Sequence, residues 1–470
     1  MRPLRHALLL TALLPGVLPA QVGPGSQGPL SARIAYTEET LPNGLKVIYH
    51  VDRSTPVAAV DIWYNVGSKN EAPGRTGFAH LFEHMMFKGS RNVPDGSHFG
   101  LLESAGARAG SDINGTTNWD RTNYFEQLPS NQLELALWLE ADRMGTLLDV
   151  LTPEKLDNQR EVVKNERRQS YDNQPYGIWL ERLLAHVYPQ GHPYHHSVIG
   201  SMADLSAASL DDVKSFFRTY YAPNNAVLVV AGDIDVDQAK ALVRKHFGWI
   251  PRNTPPPPLR DMTLPALIGQ EKREVIPDAN APAPAVFVAF RVPSAKDRRG
   301  DAVSLLSSVL GARSGHLYET LVRRTGAATG VFVFNIGLVD GADMLIVRAN
   351  GRPGANADSL EAALVREVGN AVSAIGAEEM ERARAQSRFA LVNTLQRTGG
   401  FGGRADMLAQ GWTYYRDPNW VNTRLAAIDR VTLADVQAVA RERMVPRNRV
   451  TLVFVPNRAP AGQPQTPARP

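Results

Sequence analysis

The stretch SLDDVKSFFRTYYAPNNAVLVV at residues 209–230 decides the fold. It is typical of a helix capped at Ser209, stopped at Pro223 and followed by a buried apolar strand. A second stretch, TLADVQAVARERMVPRNRVTLV at residues 432–453, repeats this pattern with a Thr at the cap and a Pro at the stop. From Ser209 to its counterpart Thr432 the offset is 223 residues, so the sequence predicts two homologous halves.

Composition and hydropathy divide the rest of the chain around this repeat. The run PRNTPPPP at residues 251–258 has the composition of a stiff, extended linker. Strand and helix patterns follow one another without strict alternation, which favours an α+β fold. We therefore predict two homologous domains, each a mainly antiparallel sheet with helices packed on one face. The predicted boundaries are a first domain at 34–250, a Pro-rich linker at 251–263, a second domain at 264–457 and a disordered tail at 458–470.

The N-terminus has the pattern of a secretory signal peptide. Arg2 and Arg5 precede an apolar run at residues 7–18, and Leu-Pro-Ala at 18–20 offers a small-residue cleavage site. The apolar run has about 12 residues, too few to span roughly 30 Å of hydrocarbon as a helix. We therefore predict a signal peptide at 1–20, secretion across the inner membrane, a periplasmic or extracellular location and no stable membrane anchor.

Overall charge and cysteine content exclude several classes of function. The 51 Lys and Arg side chains nearly balance the 47 Asp and Glu side chains, leaving a net charge of +4. This balance argues against a nucleic-acid partner. The chain has no cysteine, so disulfides, thiolate metal ligands and thiol catalysis are excluded.

The segment GFAHLFEHMMF at residues 77–87 carries the chemistry. His80, Glu83 and His84 occupy positions i, i+3 and i+4, which share one face of a helix. Two imidazoles one turn apart can both reach one Zn²⁺, and the carboxylate beside them can accept a proton from water. This H-x-x-E-H order is the inverted zincin pattern. We predict His80 and His84 as metal ligands and Glu83 as the catalytic residue.

A catalytic zinc site needs a third protein ligand and keeps one coordination position open. The helix pattern QREVVKNERR at residues 159–168 offers Glu161 and Glu166. These residues lie five positions apart, roughly 140° around a helix, so only one of them can face the metal squarely. Spacing alone does not decide between them.

With these motifs, the chain resembles the pitrilysin family of metallopeptidases, which includes insulin-degrading enzyme and the mitochondrial processing peptidase. It is most similar to the short bacterial members. In that family H-x-x-E-H is followed by E-R-x-x-V-x-x-E, whose last Glu is the third zinc ligand. The resemblance therefore implies Zn²⁺ as the cofactor and Glu166 as the ligand, with Glu161 as the alternative. Gln159 departs from the pattern, because relatives carry a Glu there that supports the ligands.

The resemblance also implies a fold and a division of labour between the halves. The fold is the mitochondrial processing peptidase-like metallohydrolase fold. The first domain, 34–250, is then the catalytic zinc-binding domain, and 264–457 is a non-catalytic homologous domain. The segment INGTTNWDRTNYF at 113–125 matches a family segment in which an Asn holds substrate backbone beside an exposed strand edge. Asn114 is therefore predicted to bind peptide substrates, captured by strand addition.

The second half contains no H-x-x-E-H and is predicted to be catalytically silent. In single-chain relatives the silent half supplies an Arg and a Tyr that hold the substrate carbonyl. Val322 and Thr329 occupy those two places here, and Arg323 or Arg324 can replace only the Arg. The resemblance therefore implies a homologous partner subunit that carries the Arg/Tyr pair, or a homodimer.

Together these features predict an exported zinc-dependent endopeptidase that cleaves peptides or unfolded polypeptides by attack of metal-activated water. The alternative is a non-catalytic assembly or peptide-binding subunit of a heterodimeric complex of pitrilysin type. One further cluster, GHPYHH at residues 191–196, is interpreted as a loop with surface histidines and not as a second metal site.

Overall fold

A computed structural model describes residues 33–457 of the chain. The predicted signal peptide and the predicted tail at 458–470 lie outside these residues. In the first half the strands are β1 (Thr37–Thr40), β2 (Lys46–Val51), β3 (Val57–Tyr64), β4 (Ile113–Thr117), β5 (Thr122–Pro129) and β6 (Ala226–Gly232). The helices of this half are α1 (Phe78–Met85), α2 (Ser97–Ser104), α3 (Leu133–Thr146), α4 (Pro153–Arg167), α5 (Trp179–Val187), α6 (Met202–Ala207), α7 (Leu210–Tyr220) and α8 (Val236–Phe247).

The second half repeats this succession with fewer elements among the described residues. Its strands are β7 (Lys272–Asp278), β8 (Ala285–Pro293), β9 (Gly330–Asn335), β10 (Ala342–Asn350) and β11 (Arg449–Pro456). Its helices are α9 (Gly300–Gly311), α10 (His316–Tyr318), α11 (Ala357–Ala374), α12 (Ala377–Thr394), α13 (Arg404–Tyr415), α14 (Trp420–Arg430) and α15 (Leu433–Arg443). Within residues 33–457, every helix is too short or too polar to traverse a bilayer.

The two sheets share one topology. The first has the strand order β1-β2-β6-β3-β5-β4 and the second the order β7-β11-β8-β10-β9. One pair in each sheet is parallel, β2 with β6 inside the first sheet and β7 with β11 at the edge of the second, and the other pairs are antiparallel. The predicted α+β class with two homologous domains is confirmed. The domain boundaries themselves stay a prediction.

The repeat extends to individual hydrogen bonds. The hydroxyls of Ser209 and Thr432 each accept the backbone N–H three residues further on, as the sequence predicts for N-caps. After each helix, the side-chain amide of Asn225 or Asn448 donates to the backbone carbonyl five residues before it, at 2.8 and 2.7 Å. The same residue types therefore close the same turn in both halves.

Each sheet is covered on its second face by a helix from the opposite half. Helix α5 crosses to the second sheet, where the Trp179 ring stacks on Phe287 with centroids 5.2 Å apart. Helix α13 crosses to the first sheet, where the Tyr414 ring meets Trp63 at 5.6 Å and Asp406 accepts the Trp63 indole N–H at 3.1 Å. The prediction of helices on one face holds within each half, and this exchange of helices covers the other face.

Candidate metal centre

Helices α1 and α4 bring three ligand-type side chains together. His80 Nε2 lies 3.6 Å and His84 Nε2 lies 3.4 Å from Glu166 Oε2. The two imidazole rings stand nearly perpendicular, with centroids 4.8 Å apart. Their spacing of one helical turn places both histidines on the face of α1 that meets α4.

This donor set fits a Zn²⁺ ion. Ligands bonded at about 2.0–2.1 Å in tetrahedral geometry lie roughly 3.3 Å from one another, close to the separations found. Burial, reinforced by His84, lowers the pKa of His80 to about 4, which keeps its ring neutral and able to coordinate. The hydrogen bond to His84 lowers the pKa of Glu166, which favours its carboxylate form. His80 Nδ1 is buried and has no hydrogen-bond partner among the described residues.

Glu83 lies beside the two histidines on α1 and is held from the neighbouring strand β4. Thr117 Oγ1 donates to Glu83 Oε2 at 2.6 Å. Burial raises the pKa of Glu83, although the Thr117 hydrogen bond and His84 oppose the shift. A carboxylate with a raised pKa, close to a metal site, has the properties of a general base.

The two glutamates of α4 have different surroundings. The side chain of Glu161 is 59% exposed and pairs with Lys164 at 2.9 Å, so it points away from α1. Glu166, one and a half turns further on, faces the histidines. Gln159 is buried and lines the site next to them, with its amide donating to Asn158 at 2.7 Å.

A cavity of about 520 Å³ opens over these side chains. It is lined by His80, Glu83, His84, Phe87, Lys88, Gly96, Phe99, Asn114, Gln159 and Glu166. The wall that carries Asn114 is β4, the edge strand of the first sheet, which among residues 33–457 pairs along its length with β5 and forms one further bridge, from Ile113 to Ala109. A Cβ on Gly115 would lie 3.1 Å from Glu83 Cγ, so the strand edge passes directly beside the carboxylate.

Asn114 lies in this cavity with its side chain folded along its own strand. Its Oδ1 accepts the Gly115 N–H at 2.8 Å, and its Nδ2 donates to the Gly110 carbonyl at 3.2 Å. Both bonds are local to residues 110–115. The structure therefore brings all five predicted site residues to one cavity.

Family models match both halves of the chain. One described as Insulinase (Peptidase family M16) matches residues 46–200, and one described as Peptidase M16 inactive domain matches residues 207–387. The chain belongs to peptidase family M16. The predicted pitrilysin resemblance is confirmed, and the inactive-domain match begins near the end of the first half and covers much of the second, which lacks H-x-x-E-H.

Individual relatives of this M16 chain agree. The zinc protease PqqE of Helicobacter pylori is 32% identical over 336 residues, which are 69% of this chain and 72% of PqqE. The crystal structure of a protease from Helicobacter pylori superposes with a TM-score of 0.81 at 27% identity, covering 90% of this chain and all of that one. The periplasmic protease PqqL from Escherichia coli superposes with a TM-score of 0.72 at 19% identity, and the match covers 91% of this chain and 48% of PqqL. The names of the relatives confirm Zn²⁺ as the cofactor and place the chain among the peptidases.

Several side chains in and around the metal centre of this M16 chain are not predicted by any sequence motif. Thr117 sits in a Thr-Thr pair with no distinguishing pattern, and only the strand register shows that it reaches Glu83. Phe87 and Phe99 stack at 4.8 Å and form the apolar wall of the cavity. Glu71, in the loop before α1, is wholly buried and accepts two backbone N–H groups at the start of that helix. Loop residues have no periodicity from which such contacts could be predicted.

A second group of ligand-type residues in the first half surrounds a positively charged side chain, that of Arg143. His98, Glu126 and Glu140 are buried with their ligand atoms close together. The Arg143 guanidinium pairs with both carboxylates, at 3.2 Å from Glu126 and still closer to Glu140. This group is therefore an internal ion-pair cluster.

The interpretation of residues 191–196 as a loop with surface histidines was wrong, because His192 is buried and His195 and His196 are half-buried. His192 is buried and stacks on Tyr188, and His195 Nδ1 lies 2.9 Å from the Tyr188 carbonyl. His196 Nε2 lies 2.8 Å from Glu71. The loop is packed because its rings fill space between the two halves, which a loop composition does not reveal.

Neither the two residues at the Arg and Tyr positions, Val322 and Thr329, nor the two substitute arginines line this cavity. Arg323 pairs with Glu319 at 2.8 Å within its own helical segment. Arg324 donates to the Thr320 hydroxyl at 2.8 Å. The hydroxyl of Thr329 donates to the Asn350 carbonyl at 3.1 Å, and Val322 packs on the core of the second half.

Proposed function

We propose that this chain is an exported zinc-dependent endopeptidase with Zn²⁺ held by His80, His84 and Glu166. The observation that carries the proposal is the convergence of these three donors beside Glu83, in a cavity open to a strand edge. When bound, the ion supplies Lewis-acid polarisation of the scissile carbonyl. A site without catalytic purpose has no need of a buried carboxylate next to its ligands.

The chain's own residues divide the remaining work. Glu83 takes a proton from the attacking water and passes it to the leaving amine. Thr117 fixes the rotamer of that carboxylate by donating to one of its oxygens. Phe87 and Phe99 exclude water from one side of the cavity and offer an apolar surface to a substrate side chain.

Peptide enters, in this proposal, as an additional strand along β4. Among the described residues no strand pairs with the outer side of β4, whose one bridge there joins Ile113 to Ala109, and strand addition uses the backbone groups that remain free. The Asn114 amide would then donate to a substrate carbonyl, exchanging its local bond to Gly110 for one to the peptide.

We further propose that the active assembly contains a second M16 chain. Val322 and Thr329 do not line the cavity, and neither do Arg323 and Arg324, so donors for the substrate carbonyl have to come from elsewhere. PqqL has about twice the matched length, which supports an arrangement of two such units. The alternatives are a homodimer, and a non-catalytic assembly or peptide-binding subunit.

The proposal of export rests on the signal-peptide pattern at residues 1–20 and on the periplasmic description of PqqL.

Zinc content and hydrolysis of a quenched peptide, measured on the same sample, test the proposal. About one Zn²⁺ per chain with hydrolysis that a chelator abolishes is the expected result, alone or with a homologous partner. Bound zinc without hydrolysis, both for the chain alone and with a homologous partner, would favour the alternative of a non-catalytic assembly subunit. Absence of zinc would contradict the metal centre itself.

A further inference from the structure

The carboxylate of Glu71 caps the helix that carries the H-x-x-E-H residues. Its Oε2 accepts the Gly77 N–H at 3.0 Å and its Oε1 accepts the Ala79 N–H at 2.8 Å. The first N–H groups of a helix have no partner within the helix. A negative charge at this end is also attracted to the positive end of the helix dipole, which stabilises the helix. Because α1 has only eight residues, the cap holds a large part of its length.

His196 fixes Glu71 from the opposite side. Its Nε2 lies 2.8 Å from Glu71 Oε2 and 3.1 Å from the Ser68 carbonyl, so this nitrogen carries the proton and donates. The backbone carbonyl of His196 accepts the Trp119 indole N–H at 3.0 Å. The cap is therefore attached to a segment with its own fixed position.

The same segment, residues 196–200, also binds the end of α4. Arg167 donates to the Gly200 carbonyl at 2.8 Å and pairs with Glu181, which in turn accepts the Ser197 hydroxyl at 2.6 Å. A Cβ on Gly200 would lie 2.4 Å from Gly77 Cα, so segment and helix start are in direct contact. One short segment thus touches both helices that carry ligand-type residues.

On the basis of the proposed function, we infer that Glu71, held by His196, is a positioning residue that sets α1 against α4. Arg167 follows Glu166 directly, so the segment ties the third ligand to the start of the helix that bears the histidines. A misplacement of about 1 Å at a catalytic centre costs on the order of 10²-fold in rate. Loss of the Glu71 cap should therefore change the distances between the ligands on α1 and the ligand on α4, and should leave substrate binding unchanged.

The test compares Glu71→Gln with a matched variant, Asp343→Asn. Asp343 is an equally buried carboxylate that accepts the backbone N–H groups of Gly337 and Met344, but it lies in the silent half. For Glu71→Gln we expect kcat to fall by about 10- to 100-fold, KM to change less than twofold, and Zn²⁺ release to a colorimetric chelator to accelerate about tenfold. Asp343→Asn should lower thermal stability and leave both quantities as in wild type.

Loss of a buried cap can also prevent folding, so variants of His196 provide a milder test. His196→Ala should accelerate Zn²⁺ release by a few-fold, and His196→Gln, whose amide nitrogen can replace the imidazole donor, should restore most of the wild-type rate. Equal release rates in Glu71→Gln and Asp343→Asn, or no difference between the two His196 variants, would overturn the positioning role. Wild-type protein that binds no zinc and cleaves no peptide would instead contradict the proposed function.

Discussion

The Thr117 hydroxyl donates a 2.6 Å hydrogen bond to the Glu83 carboxylate, joining the edge strand β4 to the helix of the metal centre. The strand proposed to receive substrate and the proposed general base are therefore parts of one rigid unit. A peptide added to β4 would come to lie at a fixed distance from Glu83, because the same strand holds both.

The first prediction concerns Glu83. Glu83→Gln should lower the rate of peptide hydrolysis by about 10²–10⁴-fold, because an amide cannot accept the proton of the attacking water. The variant should retain about one Zn²⁺ per chain, since this residue is not among the three proposed ligands. Hydrolysis within a few-fold of the wild-type rate would refute its assignment as the base.

The second prediction separates the two glutamates of α4. Glu166→Gln should lose Zn²⁺ on dialysis against a mild chelator, and Glu161→Gln should retain it. Glu161 is the matched control because it lies on the same helix but is exposed and paired with Lys164. Metal analysis of both dialysed proteins decides, and the opposite pattern would transfer the ligand role to Glu161.

The third prediction concerns substrate binding at the strand edge. Asn114→Ala should raise KM several-fold and change kcat less, because the loss of one hydrogen bond to a bound peptide costs about 1 kcal/mol. Zinc content should not change, which controls for damage to the metal centre. Steady-state kinetics with a quenched peptide provide the measurement, and an unchanged KM would exclude the residue from substrate binding.

The fourth prediction concerns the partner. Missing donors at a developing oxyanion cost roughly 10²–10³ in rate, so the purified chain alone should be weakly active. Adding a homologous chain that carries the Arg/Tyr pair should raise hydrolysis by about two orders of magnitude. Light scattering should be run on the same samples. A homodimer with full turnover, unaffected by replacing both Arg323 and Arg324 with Ala, would show that no partner is needed.

The fifth prediction uses an ion pair between the halves. Although burial opposes it, the Ser54 N–H and the Arg404 guanidinium lower the pKa of Asp52 to about 2. A carboxylate whose pKa is lower in the folded state than in the unfolded state stabilises the folded protein. This contribution to the free energy of unfolding is fully present above the unfolded-state pKa and is lost as the pH falls through the folded-state pKa.

Asp52→Asn should therefore lower the free energy of unfolding by about 1 kcal/mol at pH 7, after allowance for solvent screening. The difference from wild type should shrink between pH 4 and pH 2. The control is Asp149→Asn, which breaks an exposed pair with Arg91 and should have no measurable effect. Denaturant titrations at several pH values would contradict the prediction if the difference persisted unchanged at pH 2.

The sequence was sufficient where the contacts are local. His80, Glu83 and His84 belong to one helix, so their spacing alone fixes their common face. The caps at Ser209 and Thr432 are likewise local, and both occur as predicted. Spacing did not distinguish Glu166 from Glu161, because the choice depends on which face of α4 packs against α1.

Contacts between distant parts of the chain could not be predicted. Glu71 meets His196 across 125 residues, and Trp63 meets Asp406 across 343. Apolar patterns in α5 and α13 indicate that each helix buries one face but do not name the sheet that receives it. The same limit explains why the packed loop at 191–196 was mistaken for surface.

The exchange of α5 and α13 between the halves has a consequence for unfolding. A domain normally carries its own core and can fold alone, but here each half lacks the helix that shields one side of its own sheet. Cutting the chain in the Pro-rich linker should therefore yield two fragments that aggregate when expressed separately and regain solubility only together. For the intact chain, calorimetry should show a single cooperative transition, despite a sequence that looks like two domains in series.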